Sequence, residues 1–168
     1  FIGRGFETLE QYCALVRQVR KQGGDFIKIM ISGLMDFHEL GKLSCDSLPR
    51  ETIHQMIHIA HEEGFSVMAH ANGDAAVSAA LSAGVDSIEH GSYLREETVY
   101  QMAESGCIWV PTLSTVGNLI GDGRFPDVVL QAILEFQLQN LAKVYALGGL
   151  IGLGSDAGAY RVAHVQGA

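Results

Sequence analysis

The sequence predicts an α/β chain of parallel strands, each followed by a covering helix. Three observations predict it. Short apolar runs recur as "DFIKIM", "FSVMAH", "VDSIEH", "CIWVPT" and "LIGLGSD". Amphipathic helical segments separate them, and most of those segments stop at a glycine: Gly64, Gly84, Gly106 and Gly148-Gly149. Strands this apolar, alternating with helices, are paired in parallel and buried beneath those helices. Polar residues, Lys28, His70, His90, Thr112 and Asp156, sit in or at the ends of these runs. The carboxyl ends of parallel strands are where α/β folds place their sites.

In chain order, residues 8–21 carry the first helical pattern. The "DFIKIM" strand follows, with Lys28 among Phe26, Ile27, Ile29, Met30 and Ile31. A charge in such company has two explanations: an edge strand with Lys28 facing water, or a lysine kept for chemistry. A long connection, 32–48, leads to the helix 49–63, where Ser47 is the expected cap, Pro49 suits the first turn, and Ile53, Met56, Ile57 and Ala60 form one stripe. Helices are then predicted at 74–83, 95–105 and 126–147, with a second long connection at 113–125. Long connections at the carboxyl side are usually functional or mobile.

Five such units fit part of a (β/α)8 barrel and also an open doubly wound sheet. The second lacks its phosphate loop, because "GLGSDAG" does not have the GxGxxG spacing. A whole barrel needs about 250 residues, and this chain has 168, so the expectation is one partial barrel domain over 1–168.

Composition narrows the function. Hydrophobic residues are 48% and charged residues 18%, a globular balance. A net charge of −8 without a Lys/Arg cluster argues against nucleic acid or an anionic membrane surface as partner. Cys13, Cys45 and Cys107 are odd in number and show no CxxC spacing, so neither a disulfide framework nor a thiolate zinc site is expected. The default compartment is then the cytoplasm, although a chain that begins at Phe1 says nothing about what precedes it. No apolar run approaches a membrane span.

The strand-end residues make one constellation. His70 and His90 suit zinc or a similar divalent ion. Asp156 adds an oxygen ligand that can also accept a proton. A neutral lysine amine can add carbon dioxide and become a carbamate, a carboxylate on a long stem able to bridge two cations. That would explain a buried Lys28, since positive metals favour the anionic form.

Four segments, "DFIKIMISG", "VMAHANGDAA", "SIEHGSYL" and "GLGSDAG", resemble the amidohydrolase superfamily, in its imidazolonepropionase-like and Xaa-Pro dipeptidase (prolidase)-like branch. They span nearly the whole chain in that family's order. The resemblance implies a TIM-like barrel of the metal-dependent hydrolase type, represented by strands four to eight. It implies a binuclear centre of two divalent ions, usually zinc, with Lys28 as the carboxylated bridge. His70 and His90 would hold the more exposed ion. Asp156 would bind the other and shuttle the proton while a metal-activated hydroxide attacks an amide carbonyl. Dipeptides with a free C-terminal carboxylate are the expected substrates. The alternatives are a cyclic amide, as for imidazolonepropionase, or an inactive barrel piece that associates with a partner chain. Exposed sheet edges favour such association, and a homo-oligomer is expected.

Two departures qualify the resemblance. The family's first strand carries an HxH pair, and this sequence has none. Three strands before Phe1 and the last helix after Ala168 are also expected to be absent, so these 168 residues alone should not complete the site. In "AHANG", Asn72 stands where many relatives have histidine. It either tunes substrate contacts or forms a turn before an Asp74 cap.

The remaining candidates each have a plainer reading. Tyr93 is placed either to bind a substrate carboxylate or carbonyl or to pack on a loop. Arg161 can pair with an anionic group or lie exposed. Thr112 can line the pocket, and His38 can reach substrate from the first long connection. Trp109 and Pro111 are expected to serve the core and the strand end. His54, His58 and His61 share a helix face without an HExxH signature and are expected to be solvated. Counted by alternation from His90, Glu89 points to the helix layer.

Overall fold

The computed structural model describes residues 3–164. The chain runs α1 (Leu9–Lys21), β1 (Phe26–Met30), α2 (Arg50–Glu62), β2 (Ser66–Ala71), α3 (Asp74–Ser82), β3 (Ser87–His90), α4 (Glu96–Glu104), β4 (Ile108–Val110), α5 (Ser114–Gly117), α6 (Asp127–Ala146) and β5 (Leu150–Ile151). The strands form one sheet in the order β1-β2-β3-β4-β5, and every neighbouring pair is parallel. This is the repeating unit that the sequence predicts, with helix ends within a residue or two of those expected.

Local chemistry explains most boundaries. At α1 the Thr8 hydroxyl accepts from Gln11 N at 3.3 Å, and the Gln11 side chain accepts from Thr8 N at 3.4 Å, a reciprocal cap. The expected Ser47 cap of α2 is not formed: the helix starts from Pro49 without a side-chain cap. Asp74 likewise does not cap α3. Gly73 is the N-cap, and Asp74 Oδ1 instead accepts from Arg95 N at 2.8 Å. The short helix α5 lies inside the connection expected to be irregular, and β5 ends at Ile151, five residues before Asp156.

Helices cover one face of the sheet. Ile27, Ile29, Val67, Ala69, Ile88 and Trp109 project into a single core with Val16, Ile53, Met56, Ile57, Ala60, Val77, Ala80, Val99 and Met102. Phe26, Lys28, Met30, Ser66, Ile108 and Leu150 take the opposite, open face, where each is exposed. Lys28 therefore does project from the apolar surroundings of its strand, toward the side away from the helices. At the amino end of the sheet, Asp86 Oδ2 accepts from Val67 N at 2.7 Å and pairs with His61 Nε2 at 2.9 Å, joining β2, α2 and the entry to β3.

A second, smaller cluster of Val116, Leu119, Leu130 and Ile133 gathers Met35, Phe37, Tyr93 and Phe125. It packs both long connections together. The first connection is stiffened by an antiparallel bridge between Met35 and Leu43. Among the described residues no helix is long and apolar enough to cross a membrane.

The one-sided core makes a quantitative expectation. Ile57→Ala, at a fully buried position, should lower unfolding free energy by about 2–5 kcal/mol. Tyr145→Ala, at a residue 76% exposed, should stay within about 0.5 kcal/mol. Urea denaturation of the two variants checks both values.

Candidate active site

Register decides which side chains share the open face. Met30 pairs with His70, His70 with Glu89, and Glu89 with Val110, so these four form one row across the sheet. Glu89 therefore faces the open side with His70 and Lys28, and the expectation that it points to the helix layer is corrected. Ser87 Oγ donates to Glu89 Oε1 at 2.9 Å across one pleat of the same face, and Glu89 is only 8% exposed. The count from His90 fails because His90 has φ 70°. That left-handed turn breaks the alternation and brings its ring against His70, with centroids 4.6 Å apart.

The non-glycine residues with left-handed φ among those described are His90, Tyr93, Thr112, Asp156 and Arg161, each one a sequence candidate. Each such conformation costs about 1–3 kcal/mol, and strained residues cluster at functional sites. Thr112, at φ 47°, is β-branched and the most disfavoured type. Gly91 follows His90 at φ 61°, and a Cβ there would meet Trp109 Nε1 at 2.5 Å. Only glycine lets the strand end close over the indole, whose Nε1 donates to His90 O at 2.9 Å.

Both imidazoles are held. His90 Nδ1 lies 2.7 Å from Thr112 Oγ1. With the proton on Nδ1 the ring donates to that hydroxyl and leaves the Nε2 lone pair free. His70 Nε2 lies 3.3 Å from Gly33 O; a proton there leaves Nδ1 free. Burial pushes the His90 pKa down to about 3, helped by His70 and Lys28, and burial also lowers that of His70. Both rings are thus neutral, which is the ligand form. Gly33 can serve only as glycine, since a Cβ would lie 2.5 Å from Cys45 N and 2.6 Å from Cys45 O.

Asn72 is the hub of the strand ends. Its amide N donates to Ser32 Oγ at 2.7 Å, its Nδ2 to Gly33 O at 3.4 Å, and its Oδ1 accepts from Ser92 N at 3.2 Å. These bonds tie the segments after β1, β2 and β3 together. Ser32 is a participant that the sequence did not single out.

His70, Asn72, His90 and Asp156 line a cavity of about 280 Å³, whose outer wall includes Met35, Phe37, Leu119, Phe125, Tyr160 and Arg124. Thr112 is buried behind His90 rather than in the lining. Tyr93 packs in the second cluster; its buried hydroxyl has no hydrogen-bond partner among the described residues, and burial raises its pKa. His38 lies edge-on to Phe125, with ring centroids 5.1 Å apart, outside the lining. Arg161 also lies outside it, where its Nε donates to Asp122 Oδ1 at 2.6 Å. The helix histidines stay apart from the site: His58 pairs with Glu62 at 3.3 Å, and His61 with Asp86.

The donor chemistry of the histidine pair fits a divalent ion: two adjacent neutral rings, each oriented through its other nitrogen. Among the described residues no three His, Cys, Asp or Glu side chains converge on one point. The pair needs a further donor, and a protonated Lys28 cannot be one. Its amine is shielded enough for burial to lower its pKa, against the opposing pull of Glu89 and Asp156.

Comparison with known proteins fits this geometry. Ochratoxinase from Aspergillus niger is 30% identical over 161 residues, which cover 89% of this chain and 32% of that protein. Its crystal structure matches with TM-score 0.76 at 27% identity, over 91% of this chain and 35% of the other. A Xaa-Pro dipeptidase with methionine bound in its active site matches with TM-score 0.73 at 30% identity, over 94% and 40%. A prolidase complexed with N-methylphosphonate-L-proline matches with TM-score 0.75 at 28% identity, over 92% and 39%. The chain spans about a third of the length of the curated relatives it matches. The sequence profile of the amidohydrolase family matches residues 6–166, and the chain belongs to that family.

Proposed function

We propose that the protein is a metal-dependent hydrolase of an amide C–N bond in a small substrate, a dipeptide with a free C-terminal carboxylate. The observation that carries this reading is the pair of neutral imidazoles, His70 and His90, side by side at the ends of adjacent parallel strands and sharing a cavity with Asp156. The related structures support the substrate class: one holds methionine and another an N-methylphosphonate derivative of proline.

His70 and His90 would hold one divalent ion. Lys28, as a carbamate, would bridge to a second, and Asp156 would contribute an oxygen to that second ion. Zinc is the ion that imidazole and carboxylate donors suit best. Such ions supply Lewis acidity to a carbonyl oxygen and make water more acidic.

The residues of the chain divide the rest of the work. Thr112 and Gly33 fix the two rings. The Asp156 carboxylate takes a proton from the attacking water and returns it to the leaving amine nitrogen. The Lys28 amine, in its neutral form, would add carbon dioxide with release of one proton. The apolar outer wall displaces water from the substrate. The outer edges of β1 and β5, which have no strand partner among the described residues, favour association with further polypeptide, and a second copy of the chain is the proposed partner.

Hydrolysis of a dipeptide panel by the purified protein is the test. A chelator should abolish turnover and added zinc should restore it. Turnover that survives verified metal removal would refute the reading. Asp156→Asn should lower kcat about 10²–10⁴-fold with KM little changed, as steady-state kinetics would show. Thr112→Val, which removes the hydroxyl that orients His90, should weaken metal affinity about 10–100-fold, measured by competition with a chromophoric chelator.

A further inference from the structure

We propose that Arg124 receives the free carboxylate of the substrate and that Phe37, Phe125 and Tyr160 receive a bulky apolar side chain on the same residue. The proposal rests on reading the cavity as the place where the amide substrate binds. It identifies the substrates as N-acyl amino acids or dipeptides ending in a residue such as phenylalanine, leucine or methionine.

Three observations lead to this assignment. First, Arg124 is the one guanidinium or ammonium group among the described residues that line the cavity, beside the imidazoles of His70 and His90. Second, Arg124 is unengaged while its neighbour is not. Asp122, the nearby acid, is occupied by Arg161 and by the Tyr160 hydroxyl at 3.0 Å. Among the described residues Arg124 makes no ion pair. Third, the Arg124 guanidinium is held over the Tyr160 ring, 4.5 Å from its centroid, and 5.2 Å from that of Phe125. Stacking holds the guanidinium plane without using its N–H donors. A planar fork with free donors matches a carboxylate in two parallel bonds.

The surroundings set the other half of the specificity. Phe37 and Phe125 meet edge to face with centroids 5.3 Å apart, and Met35 and Leu119 continue the same wall. A charged or strongly polar side chain placed there would lose water without gaining a partner. An apolar one gains burial. Arg161, the arginine that the sequence put forward for this role, is held by Asp122 outside the cavity.

Binding separates this proposal from the hydrolase reading because it needs no turnover. The probes are N-acetyl-L-phenylalanine, its C-terminal amide and N-acetylglycine, titrated calorimetrically into the purified protein. The acid should bind about 10–100-fold more tightly than the amide, and N-acetylglycine should bind more weakly than the phenylalanine acid. Arg124→Gln should remove the preference for acid over amide while leaving affinity for the amide unchanged, and Arg124→Lys should retain part of it. A preference that survives Arg124→Gln would overturn the proposal. So would an equal loss for acid and amide in a variant whose melting temperature is unchanged, or a wild-type protein that binds neither. Arg124-dependent binding without hydrolysis of any amide would refute the hydrolase reading alone. Hydrolysis indifferent to Arg124 would refute this proposal alone.

Discussion

The parallel register of β1 to β4 is the constraint on which the site depends. In a parallel sheet, residues paired across strands share a face, and here the pairing puts Met30, His70, Glu89 and Val110 in one row, with Lys28, Met68, Ser87 and Ile108 in the row beneath. A slip of one residue in any pair would send those side chains into the helix layer. Helix packing prevents the slip, because Ile27, Ile29, Val67, Ala69, Ile88 and Trp109 must all stay on the buried side. The core therefore fixes the chemistry of the opposite face. Substitution on the helix side would disturb the site through register as well as through stability.

Alternation alone would leave His90 on the wrong face, beside Ala71 in register. The left-handed backbone at His90 makes up the difference. Its strain is offset by the Trp109 Nε1 bond to His90 O and by the Thr112 contact to the ring. Trp109 sits in the helix-side core, so the indole links burial on one face to ring placement on the other. The glycine next in sequence is a steric requirement of the same device.

The repeating helices and strands were legible because period and glycine punctuation report local structure. The placement of His70, His90 and Asp156 around one cavity was legible for the same reason. Two features were not. The face of Glu89 depends on where alternation breaks, and nothing in "SIEHG" marks a left-handed φ at histidine. Counting outward from Lys28 through the register would have placed Glu89 correctly, but register is a property of the assembled sheet. The contrast between Arg124 and Arg161 was equally hidden. Which arginine stays free is decided by Asp122, 39 residues from Arg161 in sequence, and no local pattern encodes that pairing. Ser32 was missed because its role is to accept an amide bond from Asn72, 40 residues away.

Partial desolvation of the Lys28 amine lowers its pKa, whereas Glu89 and Asp156 pull it up. One protonation state cannot satisfy both influences. Carboxylation of the amine removes a partly desolvated cation, yet it adds an anion near Glu89 and Asp156. That arrangement is stable only where positive charge is supplied, and on the proposed reading a divalent ion on the adjacent imidazoles of His70 and His90 would supply it. On the proposed reading, carboxylation and metal binding are therefore one coupled equilibrium. On that reading the ions would favour the carbamate, and their removal would favour return to the free amine.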